Sequence, residues 1–142
     1  MNRLVVTGGR FYGRVPGQRQ FLFATLDHLL DHEIGPFDLI HGGAHGADDL
    51  AQSWAEFRGI ETTIFKAKWK DVEGIPKSKI RYQRDGTPYN VAAGFDRNKD
   101  MIVTGKPTHG IAFRGQNGTE DMVSWIVGAK IPFYDCRGVQ YP

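Results

Sequence analysis

Along this chain, short β-branched runs closed by glycine alternate with longer stretches that carry one apolar face. Residues 3–7 (RLVVT), stopped by Gly8-Gly9, read as a buried strand. From position 16 to 34, Leu22, Leu26, Leu29 and Leu30 share one helical face, and Gly35-Pro36 ends the helix. Residues 37–41 (FDLIH) form a second strand, stopped by Gly42-Gly43. Ala47, Leu50, Ala51 and Trp54 predict a helix over 47–58, with Asp48 and Asp49 suited to its positive N-terminal end and Gly59 to its stop. A third strand follows at 60–65, a short helix over 94–103 and a fourth strand at 109–113. The last helix follows Gly118, with Met122, Val123, Ile126 and Val127 as its apolar stripe, and a fifth strand occupies 131–134.

Strands separated by helices imply a parallel sheet with right-handed crossovers. The expected fold is α/β, a Rossmann-like three-layer sandwich of about five parallel strands in the order 3-2-1-4-5, with 1–142 as one domain. Ligands in such sheets bind beyond the carboxyl ends of the strands where the order reverses, here between strands 1 and 4. The loops at that point, 8–12 and 114–119, and their neighbour 42–46 are all glycine-rich. The stretch 69–92 is too long for a plain connection. It carries Lys77, Lys79, Arg81 and Arg84, and Asp85-Gly86 suits a hairpin turn, so a hairpin-like flap is expected over about 70–92.

Composition narrows the function classes. With 40% hydrophobic and 24% charged residues, the 142-residue chain is of ordinary globular make-up. A net charge of +2 gives no general electrostatic case for coating nucleic acid or a membrane. The 18 glycines exceed the usual share and point to tight turns and close backbone approaches. Cys136 stands alone, so an intramolecular disulfide is impossible and a cysteine zinc site has no second thiolate. His28 and His32 lie one helical turn apart without the glutamate of a His-Glu-x-x-His site, which favours a solvated face, and no metal is expected. No signal-like or membrane-length apolar run is present. A cytoplasmic location is therefore expected, or the host cytoplasm for a viral protein.

The sharpest local signal is His41-Gly42-Gly43-Ala44-His45-Gly46-Ala47-Asp48. Glycines between a strand and a helix let backbone N–H groups approach a phosphate at the positive end of the helix. A ligand-free turn is the plain alternative. Asp48 would oppose an anion there and suits ribose hydroxyls better, while His41 and His45 offer either a donor, an acid/base group or a loop-stabilising bond. The second candidate is Gly115-Gln116-Asn117-Gly118-Thr119-Glu120-Asp121, where Thr119 is expected to cap the helix and offer its hydroxyl to a phosphate. Neither matches the Gly-Lys-Ser/Thr of nucleoside-triphosphate loops, and no GxGxxG follows the first strand. Trp54 and Trp125 read as core residues, and Trp69, at the root of the flap, is placed to face a base.

Four motifs carry a family resemblance: Thr7-Gly8-Gly9-Arg10, the segment 41–48, Gly94-Phe95-Asp96-Arg97-Asn98-Lys99-Asp100-Met101, and Ala112-Phe113 with Gly115, Gly118-Thr119 and Asp121-Met122-Val123. In these the chain resembles the YspA-like branch of the SLOG superfamily, Rossmann-like proteins related to the Lonely-guy phosphoribohydrolases and to DNA-processing protein A. The resemblance implies a nucleotide-related ligand without fixing an activity. It departs from the hydrolase pattern Pro-Gly-Gly-x-Gly-Thr-x-x-Glu, whose opening is not kept around Phe113-Arg114-Gly115 and whose final Glu position is Met122. Arg97 matches that family's Arg-Lys-x-x-Met arginine, with Asn98 in place of lysine and Met101 retained.

The resulting expectation is a module that binds or senses a nucleotide-derived small molecule, with no certain cofactor. Gly8, Gly9, Gly42, Gly43, Gly115, Gly118 and Thr119 would cradle phosphate, Arg10 and Arg97 supply charge, and His45 and Asp48 complete the pocket. A hydrolase of N-glycosidic bonds, using Glu120 or Asp121 for the missing Glu, is the alternative. Single-strand DNA binding through the basic flap is a further one, opposed by the near-neutral charge. A homo-oligomer is compatible with all three.

Overall fold

The computed structural model describes residues 1–139. In chain order the elements are β1 (Asn2–Thr7), α1 (Gln18–His28), β2 (Phe37–His41), α2 (Ala47–Arg58), β3 (Thr62–Ile64), β4 (Ile80–Tyr82), β5 (Pro88–Asn90), α3 (Ala93–Val103), β6 (His109–Phe113), α4 (Asn117–Gly128) and β7 (Phe133–Cys136). Five strands form one parallel sheet in the order β3-β2-β1-β6-β7. This is the expected order, because β4 and β5 stand apart as an antiparallel hairpin.

The central strand explains the two-faced core. Leu4, Val5 and Val6 are all buried, as a parallel strand covered on both faces requires. Leu4 and Val6 pack with Leu22, Leu26, Ala51 and Trp54 of α1 and α2. Val5 faces the other layer, with Ile40, Met101, Met122 and Ile126 beneath α3 and α4. Gly110 of β6 permits close packing there, since a Cβ would stand 2.7 Å from Ile126 Cγ2. Among the described residues no helix is long and apolar enough to cross a membrane.

Several boundaries differ from the sequence reading; β3, expected at 60–65, spans only Thr62–Ile64. The first helix starts at Gln18, not Pro16, because Gly17 has a left-handed φ of 93° and Gln18 Oε1 ties down the preceding turn through the N–H groups of Gly13 (2.6 Å) and Val15 (3.2 Å). It ends in a π-helical turn, Leu29–Glu33, closed by Ile34 N–H to Leu29 O. The last helix begins at Asn117 rather than after Gly118, so Thr119 is its third residue and does not cap it. The final strand lies two residues later than expected: Lys130 turns with φ 58°, and pairing starts opposite Gly110 only at Phe133.

The flap is the expected hairpin. Gly86 turns with φ 86°, Gln83 N–H bonds Thr87 O, and Asp85 Oδ1 accepts Thr87 N–H at 2.9 Å. That last bond draws the Asp85 carboxyl below its ordinary value. The hairpin is fastened at its root, where Asn90 N–H reaches Trp69 O (2.7 Å) and Val91 N–H reaches Lys79 O (2.8 Å).

Candidate functional site

Where the sheet order reverses, a cleft of about 670 Å³ lies beyond the carboxyl ends of β1 and β6. That volume suits a small-molecule ligand. All four α-helices begin on this side of the sheet, and residues of each one's first turn line the cleft: Gln18, Asp48, Gly94 and Gly118. Positive helix ends therefore converge on it.

The turns after β1 and β6 are pressed backbone to backbone. Gly9 N–H donates to Arg114 O at 2.8 Å. A Cβ on Gly9 would stand 2.9 Å from Gly115 Cα, and one on Gly115 would overlap Thr119 Oγ1 and come within 2.7 Å of Gly9 N. Gly8 is equally confined, with Ala47 Cβ 2.5 Å from a Cβ there. Gly118, by contrast, faces open space. No side chain caps α4, and its first intrahelical bond runs from Glu120 N–H to Gln116 O. The N–H groups of Asn117, Gly118 and Thr119 precede that bond, at the end of the helix where anions are favoured. Gly8, Gly9, Arg10, Gly115, Gly118 and Thr119 all line the cleft, as does Arg114, which sequence reasoning passed over.

The turn after β2 is built differently. Asp48 Oδ2 accepts the N–H of Gly42 (3.1 Å) and of Ala44 (3.2 Å). His41 Nδ1 accepts the N–H of Gly43 at 3.0 Å. A backbone N–H only donates, so His41 carries its proton on Nε2 and donates it to Gln52 Oε1 at 2.6 Å. The donors expected to meet a phosphate are thus occupied by the chain's own side chains. Gly42 and Gly43 do not line the cleft. Gly43 has φ 68° and faces β3, with Ile64 Cγ2 2.8 Å from a Cβ there. His45 does not line it either; its side chain is 91% exposed and lies 3.3 Å from Asp49. Of this segment's predicted site residues, Asp48 alone lines the cleft.

Asp48 is 6% exposed, and burial pushes its carboxyl pKa up, against the pull of His41, the Ala44 N–H and Arg97. Arg97, reaching in from α3, donates from Nη1 to Gly42 O at 2.6 Å and from Nε to Asn98 Oδ1 at 3.2 Å. Burial lowers its pKa while Asp48 raises it. Arg97 therefore fastens the β2 turn to α3 and borders the cleft at the same time. Asn98 has a role its sequence position did not reveal. Its amide donates to Gly118 O and to Asp121 Oδ2, both at 3.1 Å, and so joins α3 to the first turn of α4.

The carboxylates offered for catalysis do not line the cleft. Glu120 binds Arg137 through both oxygens, at 2.8 and 2.9 Å, and Asp121 is held by Asn98. Met122 is fully buried in the core. Aromatic rings form the rim instead. Trp69 is 47% exposed, and its ring packs where a Cβ on Gly94 would stand 3.1 Å from Cη2, so glycine at 94 makes room for it. Phe95 is exposed beside it, and Phe11, also exposed, lies under the guanidinium groups of Arg10 and Arg14. Sequence reasoning singled out neither Phe11, in the turn after β1, nor Phe95, in the first turn of α3.

Comparison with curated proteins and with solved structures gives no match. A family model matches residues 2–71, from β1 through β3 to the root of the flap, which takes in the Thr7-Gly8-Gly9-Arg10 and 41–48 motifs. That model describes the YspA, cpYpsA-related SLOG family, and residues 2–71 of the chain match it.

Proposed function

We propose that this protein binds a phosphate-bearing nucleotide or nucleotide-derived molecule and retains it without cleaving it. The match of residues 2–71 to a SLOG family model supports a nucleotide-related role in ligand binding or processing. The observation that carries the finer reading is the first turn of α4: it lines the cleft uncapped by any side chain, against Gly9 and Gly115, where neither glycine has room for a Cβ. A phosphate there meets backbone N–H groups, with Arg10, Arg97 and Arg114 around the same cleft. The rings of Trp69 and Phe95 offer faces to a base.

Retention is favoured over hydrolysis because the carboxylates at 120 and 121 are engaged elsewhere and position 122 is a core methionine. Oxocarbenium-like charge at a reacting sugar needs a preorganised partner, and its loss costs on the order of 100- to 1000-fold in turnover. Titration calorimetry with AMP and ADP-ribose tests the assignment. Wild type is expected to bind at least one of them, and Gly118→Glu to lose it while melting like wild type. Unchanged affinity in folded Gly118→Glu would remove the phosphate from α4, and rapid release of free base from AMP would make the protein a hydrolase.

A further inference from the structure

We propose that Asp48 receives ribose hydroxyls, so that the cleft selects ribonucleotides over their deoxyribose counterparts. The inference rests on the nucleotide reading above and adds the sugar to it.

Asp48 is the sole carboxylate among the described residues that line the cleft. Its two oxygens are unlike. Oδ2 is held by the N–H groups of Gly42 and Ala44, whereas Oδ1 has no hydrogen-bond partner among the described residues. No described side-chain N or O atom is both sealed from solvent and unbonded, so Oδ1 keeps some contact with solvent, on a residue that lines the cleft. A carboxylate oxygen accepts and does not donate, and its favourable partners are O–H and N–H groups. A phosphate is excluded from its immediate vicinity by charge.

The topology then orients the ligand. Asp48 stands on α2 beyond β2, and the uncapped turn of α4 stands beyond β6, with β1 and its Gly8-Gly9 turn between them. A nucleotide with its phosphate at α4 therefore runs across Gly8-Gly9 and presents its sugar toward Asp48. Two backbone N–H groups fix the carboxylate in place before any ligand arrives, so little side-chain freedom remains to be lost on binding.

The test is calorimetric titration of wild type and Asp48→Asn with ribonucleoside, 2′-deoxy and 3′-deoxy monophosphates of adenine, guanine and cytosine. Asparagine keeps an acceptor for Gly42 and Ala44 but turns an NH₂ toward the cleft. Wild type is expected to prefer the ribonucleotides over at least one deoxy series by about 10- to 100-fold, the scale of a hydrogen bond to a charged group. In Asp48→Asn that preference should collapse, while Gly118→Glu should weaken the ribo and deoxy series alike. Equal binding of all three series by wild type would overturn this inference and leave the nucleotide reading standing. A preference that survives in folded Asp48→Asn would do the same. Should the mutant fail to fold, the wild-type series still decides. No binding of any monophosphate would overturn this inference, and no binding of ADP-ribose as well would overturn the nucleotide reading too.

Discussion

After β2 the chain turns through Gly42-Gly43-Ala44, and after β6 through Gly115-Gln116-Asn117-Gly118; both turns lead into a helix from the same edge of the sheet. In the first, every N–H from 42 to 44 has an intramolecular acceptor, on Asp48 or His41. In the second, no side chain among the described residues accepts the N–H of Asn117, Gly118 or Thr119. One turn has built an anion into itself, and the other is left to receive one. The contrast teaches that a glycine-rich strand-to-helix turn is a phosphate site only while its donors are unspent. A carboxylate one helical step inside the turn is enough to spend them.

Paired substitutions sharpen the contrast most. Gly118→Glu adds a like charge beside the proposed phosphate in open space, and is expected to weaken AMP binding on the order of 100-fold or more. Its melting temperature should stay near that of wild type. Gly43→Glu should behave in reverse. Its φ of 68° and the nearby Ile64 Cγ2 predict a stability loss of about 1–2 kcal/mol, with AMP affinity kept in the folded protein. Calorimetry and urea melts on both proteins check this, and matching phenotypes would erase the distinction between the turns.

His41→Ala removes the acceptor for Gly43 N–H and the partner of Gln52. A loss of about 1–3 kcal/mol in urea unfolding is expected, since a buried imidazole and the two hydrogen bonds it makes are removed. Affinity measured well below the new melting point should move little. A selective loss of binding with full stability would instead make His41 part of the site.

Asp48 gives a pH signature. Its folded-state pKa is raised by burial above the ordinary 3.8, so the folded protein holds this proton more tightly than the unfolded chain. The stabilising contribution is complete below that ordinary value and is lost as pH rises through the folded pKa. Asp48→Asn has no such proton to lose. Urea melts of both proteins at about pH 4 and about pH 8 should therefore show the mutant gaining on wild type at the higher pH. A difference that does not change with pH would contradict the buried-carboxyl account.

The smallest effect is expected from Gly118→Ala. Position 118 lies within α4 with nothing near a Cβ, so alanine should stabilise by up to about 1 kcal/mol through helix propensity alone. A loss of stability in thermal melts would mean that Gly118 is constrained in a way its surroundings do not reveal.

Much of the fold was legible because it rests on local periodicity. The bounds of β2, α2 and β6 coincide with the hydrophobic pattern, and the alternation of strands with helices implied the parallel sheet. The misreadings fall where a partner distant in sequence or a special backbone angle decides. Gly118 looked like a helix breaker, yet the helix starts before it because Gly9 N–H holds the carbonyl of Arg114 and packing fixes Gly115. β7 slid by two residues because its register is set by pairing with β6.

The same division separates the two turns. The sequence by itself determined that glycine-rich turns meet helix starts at the carboxyl edge of a parallel sheet, because strand and helix periods are written in residues a few positions apart. Which turn keeps its donors free was decided by the tertiary structure. Asp48 folds back on its own turn, Arg97 arrives from 55 residues away to hold Gly42 O, and Gly115 is seated against Gly9 from the far side of the chain. Hydrogen-bond capacity is exhausted by whichever partner is near in space, and nearness in space is what a one-dimensional pattern does not contain.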